Sequence, residues 1–502
     1  MAGIHTWPMV NIQAKKHDNF SVEFKFGFEN NRTEGKNNFA VNSWIFVPQS
    51  ISINPESYGK DQFYRDIKSN VRLITPVYSL DEIADSESLP LRSLTNAVKN
   101  LGNSPLQQNS EDYEYHLKMF AAIFKSSLRN AEHQFKSARS TEKFRELAQD
   151  MDRSCRKILE EYRQLSYRLP KAQFFSEERN YFRMCDEFIS HILEFRLVRV
   201  LKKINASKLG AELQETKDRL LKLLRDEAKY RRKKGFGAIG DDPETNRELV
   251  YHYGMLKKFV ESDLFISLDK KKDGVAVEQL YYSLAAGIAM IFATAVAWFS
   301  QVKFGNITWP LFLALVISYM MKDRIKELMR YYFAHRLGNK YYDKKARISI
   351  GKKNVGFIKE GVDFISQAKT PGTVKKMRNN SATIDDASRI FDEKILLYRK
   401  RVMIDGKVIS GIGEYPMKGI NEIMRLHLNR FTQKMDNPEV PVDHLSANGE
   451  ISTVKVQKIY YLNVVFQLCQ EEESSYRHFR IQMTRNGILK VEEIRKEQQS
   501  PL

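Results

Sequence analysis

Residues 235–240 read Gly-Phe-Gly-Ala-Ile-Gly, the G-x-G-x-x-G spacing that can cradle a pyrophosphate. That chemistry needs the string to leave a strand and open a helix, so that the phosphates sit on the helix N-terminus. Here it follows the basic, helical stretch Lys229–Lys234, and Asp241, Asp242 and Pro243 come next. Two carboxylates at that point repel a phosphate. The segment is expected to be a flexible loop between helices. Lys229, Arg231, Arg232, Lys233 and Lys234, with Tyr230 and Phe236 beside them, could hold a single-stranded nucleic acid. A helix end whose cations offset the macrodipole explains them more simply. They are expected to form a basic surface, with no nucleic-acid partner.

Other chemistry is sparse. No G-x-x-x-x-G-K-[ST], H-E-x-x-H, C-x-x-C or G-x-S-x-G string occurs, and no histidine pairs with a cysteine or another histidine at ligand spacing. His191 reads as a helix-flank residue, and Asp241–Asp242 and Glu471–Glu473 as solvated loops. Cys155, Cys185 and Cys469 are too scattered for a disulfide framework and fit a reducing compartment. No catalytic residue, cofactor or metal is expected. The balance points away from an enzyme, although a site assembled from distant segments stays open. Asn306-Ile307-Thr308 matches a glycosylation sequon but lies too close to an apolar run to carry one.

What must be positioned is therefore a set of elements rather than a catalytic group. The chain has 502 residues, a net charge of +19 and a pI near 9.5. Several domains are expected at this length, and the charge implies attraction to an anionic partner or surface. Met1–Asn19 lacks the apolar core of a signal peptide.

Mean hydropathy is low, −0.48, yet two uncharged runs stand out: Gln279 to Val302 and, after Lys303, Phe304 to Met321. The first is long enough to cross a hydrocarbon core of about 30 Å as a helix. The second is short, because Ile307 to Met321 covers only about 22 Å. Either the bilayer thins there or the hairpin dips in and returns. Ala285, Ala289, Ala293 and Ala297 recur every four residues, the small-residue stripe that lets a second helix approach. Lys322, Arg324, Lys326, Arg330 and Arg336 follow the second run on a helical pattern and are expected to contact anionic lipid. Lys257, Lys258, Lys270, Lys271 and Lys272 precede the first run, and only Lys303 lies between. The positive-inside rule puts both flanks in the cytoplasm. A bacterial inner membrane would suit so small an anchor.

Periodicity gives the rest. Val22, Phe24, Phe26 and Phe28 alternate as a strand, and Val41–Val47 reads as another. Apolar stripes from Leu117 to Phe135, Phe144 to Leu169, Phe182 to Phe195 and Leu209 to Leu224 read as helices. Asp242-Pro243 starts a fifth. Ile395–Ile404 and Val454–Leu468 are strand-like, Ile420, Ile423, Met424, Leu428 and Phe431 make a helical stripe, and Asn486-Gly487 signals a hairpin. The expected organisation is a multidomain α+β membrane protein. It comprises a β-rich domain (1–104), a cytosolic helical bundle or coiled-coil-like arm (105–275), a central two-helix transmembrane hairpin (276–322), a basic juxtamembrane helix and linker (323–370) and a small C-terminal α+β domain (371–502). With both termini on one side, the two β regions are free to pack together. The expected role is a membrane-tethered interaction, scaffold or sensor protein with membrane lipids and a protein as partners. A homo-oligomeric pore or a membrane-surface enzyme is the alternative, although neither apolar run holds the ionisable residue that transport pathways usually carry.

Overall fold

Helices and antiparallel sheets alternate along this chain. They are seen in a computed structural model that describes residues 10–29, 35–104, 106–170, 175–207, 212–305, 308–338, 342–351, 353–379, 393–446, 448–471 and 473–494. Strands β1 (Val10–Lys16), β2 (Ser21–Glu29) and β3 (Lys36–Val47) precede helix α1 (Lys60–Asp66) and β4 (Ile67–Leu73). Helices α2 (Leu80–Ala84), α3 (Leu89–Asn103), α4 (Gln107–Ser137), α5 (Thr141–Arg168), α6 (Ser176–Ala206), α7 (Gln214–Lys234) and α8 (Pro243–Val260) follow. Strand β5 (Ser267–Lys272) leads into α9 (Val275–Phe304) and α10 (Trp309–Gly338), and then come β6 (Lys344–Ile350), β7 (Lys353–Ile365), α11 (Gly372–Asn379), β8 (Lys394–Asp405), α12 (Gly406–Ser410), β9 (Gly419–His427) and α13 (Asn429–Thr432). The chain closes with β10 (Glu439–Leu445), β11 (Ile451–Gln457), β12 (Tyr460–Gln470), β13 (Glu473–Thr484) and β14 (Gly487–Ile494).

The five expected segments regroup into two units. One holds residues 1–71, 267–409 and 419–502, and the other holds 72–266 and 410–418.

The first unit is built on two sheets. Their orders are β1-β2-β9-β4 and β14-β13-β12-β3-β8-β7-β6-β5. Strand β3 pairs with β12 on one side and β8 on the other, so N-terminal and C-terminal residues share a sheet. Alternation drives the stacking. Val22, Phe24, Phe26 and Phe28 of β2 are all buried. The Phe24 ring meets Phe466 at 5.0 Å and Phe479 at 6.2 Å, both edge-on, across the gap between the sheets. Strands β10 and β11 form a separate ribbon exposed along its whole length.

The second unit is helical. Leu117, Phe120, Phe124, Leu128 and Phe135 give α4 one buried stripe. Phe120, Tyr162 and Phe182 stack in series at 5.3 and 4.7 Å, which ties α4, α5 and α6 together. Asp242 caps α8 by accepting from the backbone N–H groups of Glu244 and Thr245, with Pro243 at the first helical position.

Four expectations need correction. Ile420–Phe431 is not a helix: its first part is strand β9, in which Ile420, Glu422, Met424 and Leu426 are buried at period two. A buried carboxylate at one of those positions hides the alternation. Residues 80–84 and 89–103 form helices α2 and α3, not part of a β-rich domain. The turn before β14 is centred on Arg485 and Asn486, because Thr484 pairs with Gly487. Gly487 has φ +129°, and a Cβ there would lie 2.4 Å from the Asn19 carbonyl oxygen. Finally, residues 235–240 do connect two helices, but the loop is pinned. Gly235 ends α7 in the left-handed region (φ +69°), and the Asn246 side chain bonds both the N–H and the carbonyl of Gly240. Leu209 lies outside the described residues.

Candidate functional site: the apolar hairpin and its basic root

Helices α9 and α10 belong to the first unit and pack against each other. Tyr281 meets Phe333 at 5.0 Å, the Arg330 guanidinium lies 4.9 Å over the Tyr282 ring, and Ser318 Oγ donates to the Ala293 carbonyl at 3.3 Å. The start of α9 therefore faces the end of α10, as in an antiparallel pair. Ala285 and Ala289 are fully buried, Ala293 and Ala297 half-buried. Close helix approach along this stripe follows from the small side chains.

One stretch among the described residues, Glu278–Phe304, is long and apolar enough to cross a membrane, with mean hydropathy 1.8 and only 11% of its most apolar window buried. Trp298, Phe299 and Val302 are each more than 70% exposed. The second run of the expected two-helix transmembrane hairpin, read as short from the sequence, does not meet that measure. Helix α10 has only Trp309–Met321 free of charge, about 20 Å of helix at 1.5 Å per residue. Its second half carries Lys322, Asp323, Arg324, Lys326, Glu327 and Arg330. The contacts above place that charged half alongside α9 from about Tyr282 to Ala289. The apolar depth common to both helices is thus about 20 Å, short of a 30 Å hydrocarbon core.

Of the cations expected at lipid, Lys322 sits 3.8 Å over the Tyr319 ring and Arg330 over Tyr282, while Arg324 is exposed and Lys326 half-buried. The side chain of Arg336 lies outside the described residues, as do Asn306 and Ile307 of the sequon. The second basic cluster is divided by burial. Lys229, Arg232, Lys233 and Lys234 are exposed, but Arg231 is 3% exposed and is no surface residue. Its guanidinium bonds Glu194, the Gly237 carbonyl and the Tyr253 hydroxyl. His191 stacks on that same Tyr253 at 3.5 Å. Burial, reinforced by Arg231, pushes its imidazole down to about 4.

The root of the hairpin was not apparent from the sequence. Strands β5 and β6 enter and leave the helices as an antiparallel pair, with Lys271 opposite Lys345 and Lys272 opposite Lys344. Asp343 organises the root. Its carboxylate accepts from Lys60 Nζ at 2.8 Å, the Tyr64 hydroxyl at 3.0 Å and the Val362 N–H at 2.8 Å. Lys60 also reaches Asp363 at 2.8 Å. Burial works against its charge, but the two aspartates outweigh that and raise its pKa. Burial and Asp343 together raise the Tyr64 phenol far above its usual value. The readable signal was the matched placing of Lys270–Lys272 and Lys344–Lys345 on either side of the apolar runs.

No family model matches the chain, and no curated protein matches it. Among solved structures, a cryo-EM structure of a de novo designed 16-helix transmembrane nanopore aligns with 51% of this chain and 92% of its own. Identity is 10% and the TM-score 0.18, a likeness too slight to carry any argument.

Proposed function

We propose that this chain is a membrane-tethered interaction, scaffold or sensor protein, anchored by the α9–α10 hairpin. The observation that carries this reading is the exposed apolar surface of α9, where Ile291, Trp298 and Phe299 are 69–73% exposed on a helix without charge from Gln279 to Val302. Apolar patches of that extent on a water-facing surface mark a membrane or protein contact. The hairpin sits in lipid by its distal part, from about Met290 through the tip to Met321. The basic half of α10 then lies at the headgroups, where Lys322, Arg324, Lys326, Arg330 and Arg336 meet anionic lipid. Both flanks lie on the cytoplasmic side, supported by the excess of lysine and arginine there. A bacterial inner membrane is the proposed setting, and a protein partner of the two large units the proposed cargo.

Impermeant maleimide labelling of single cysteines tests the topology. Glu439→Cys, on the exposed β10–β11 ribbon, should react only after lysis. Labelling in intact cells would reverse the orientation. Lys303→Cys reports in the same experiment whether the tip reaches the far side.

A further inference from the structure

Strands β10 and β11 stand apart from both large sheets as a two-stranded ribbon, exposed on both faces. A lone two-stranded hairpin is marginally stable at best in water, and independent stability needs three or more strands with an apolar face. The register sets Val440 opposite Val456 and Val442 opposite Val454, which gathers four valines on one face. Each is 42–48% exposed. The hydrogen-bonding phase is fixed at both ends. The Lys458 N–H donates to the Pro438 carbonyl and the Ser446 N–H to the Glu450 carbonyl, both at 2.9 Å. Bonded and non-bonded pairs alternate along an antiparallel ladder, so the even-numbered residues close the ribbon. The odd-numbered residues of both strands turn their backbone groups outward. The two edges are not equivalent. Pro441 leaves the β10 edge one N–H short, and Glu439 and Asp443 make that edge acidic. The β11 edge keeps every donor, has no proline or glycine, and carries β-branched side chains at Ile451, Thr453, Val454 and Val456.

We infer that β11 pairs antiparallel with β11 of a second copy of this chain, closing a four-stranded sheet in the order β10-β11-β11-β10. A two-fold axis through Val454 sets Thr453 opposite the second copy's Lys455, and Ile451 opposite its Gln457. Those are the outward-facing positions, so every free donor on either edge finds a carbonyl. Val454 meets its own counterpart in a non-bonded pair, where side chains come closest, with about 4.5 Å between Cα atoms. Lys455 does not face itself. Its diagonal neighbours across the ribbon are Glu439 and Asp443, whose charges offset the approach of a second lysine. The same axis placed on β10 would bring two acidic strands together, each lacking a donor. Head-to-tail pairing of β11 on β10, the arrangement that propagates into a fibre, meets the same gap at Pro441. A closed pair is what remains. It extends the valine face from two strands to four, which meets the requirement for independent stability. The ribbon belongs to the first unit outside the α9–α10 hairpin, so the pairing stands whether or not α9 lies in lipid.

The test uses the full chain in a neutral detergent, with its protein mass read by light scattering. Wild type is expected to be a dimer. Lys455→Pro removes one outward donor from each β11 edge and no bond of the ribbon, as Pro441 already does opposite it, and should halve the mass. Disulfide trapping gives a second reading on chains whose backbone is unaltered, and so holds even where the proline loosens the ribbon. Val454→Cys sets two thiols across the axis, at a Cα separation of about 4.5 Å that a disulfide spans. Mild oxidation should yield a covalent dimer that a reducing agent releases. Val440→Cys lies on the same face but about 14 Å from its counterpart, three strand spacings away. It should run as a monomer on a non-reducing gel, as should wild type with its three native cysteines. A monomeric wild type, a Lys455→Pro variant as dimeric as wild type, or no covalent dimer from Val454→Cys would overturn the pairing.

Discussion

Lys400 of β8 donates to Glu422 of β9, so a buried ion pair bridges the two stacked sheets of the first unit. Both side chains are 1% exposed or less. A second carboxylate, Glu360 of β7, lies 3.3 Å from the same ammonium and accepts the Tyr398 hydroxyl at 2.8 Å. Burial opposes the charge on Lys400, but Glu422 and Glu360 outweigh it and raise its pKa. Lys400→Met would leave two buried carboxylates facing each other. Breaking one partner of such a group costs about 3–5 kcal/mol. Chemical unfolding in detergent should show that loss, and Lys400→Met/Glu422→Met should recover part of it. A single variant as stable as wild type would mean that the carboxylates find other partners.

His478 sets an acid limit on the same unit. It is 1% exposed, and its Nε2 lies 3.0 Å from Asn463 Oδ1. Burial, then Arg378 and Arg480, hold its imidazole down at about 4, against an ordinary 6.5. The unfolded chain binds that proton more readily. Stability is therefore complete above pH 6.5 and falls as the pH drops toward 4, by roughly 3 kcal/mol at about 1.4 kcal/mol per pH unit. The melting temperature should decline over that window in wild type and less steeply in His478→Gln. Parallel pH profiles would exclude His478 as the cause.

Ala285 and Ala289 should tolerate no enlargement. Both are buried on the α9 face that meets α10, and adding side-chain volume to a packed position costs about 1–3 kcal/mol. Ala289→Leu should lower the melting temperature of the detergent-solubilised chain, whereas Ile288→Leu, on the exposed side, should not. Equal effects would mean that the stripe is not a packing face.

The parts of the fold that were readable share one property: their signal lies in residues adjacent in the sequence. Phe24, Phe26 and Phe28 announced β2, the stripe of α4 needed nothing else, and Asp242-Pro243 marked the start of α8 without any tertiary information. Strand β9 failed because Glu422 occupies a core position, matched by Lys400 of β8, which lies in the other sheet. Arg231 looked like surface for the same reason, since Glu194 lies 37 residues away. The hairpin stood out because charge is excluded from it. Its register did not, and that register shows the charged half of α10 lying beside apolar α9. The root lysines were visible as flanking charge, but their cross-strand pairing arises only when β5 meets β6.

Sedimentation of a detergent-free lysate tests the membrane seat of α9 most directly. The full chain should enter the high-speed pellet, stay there through high salt and alkaline carbonate, and be released by detergent. A full chain that remains in the supernatant would contradict the anchor, because Ile291, Trp298 and Phe299 would then be covered by protein instead of lipid.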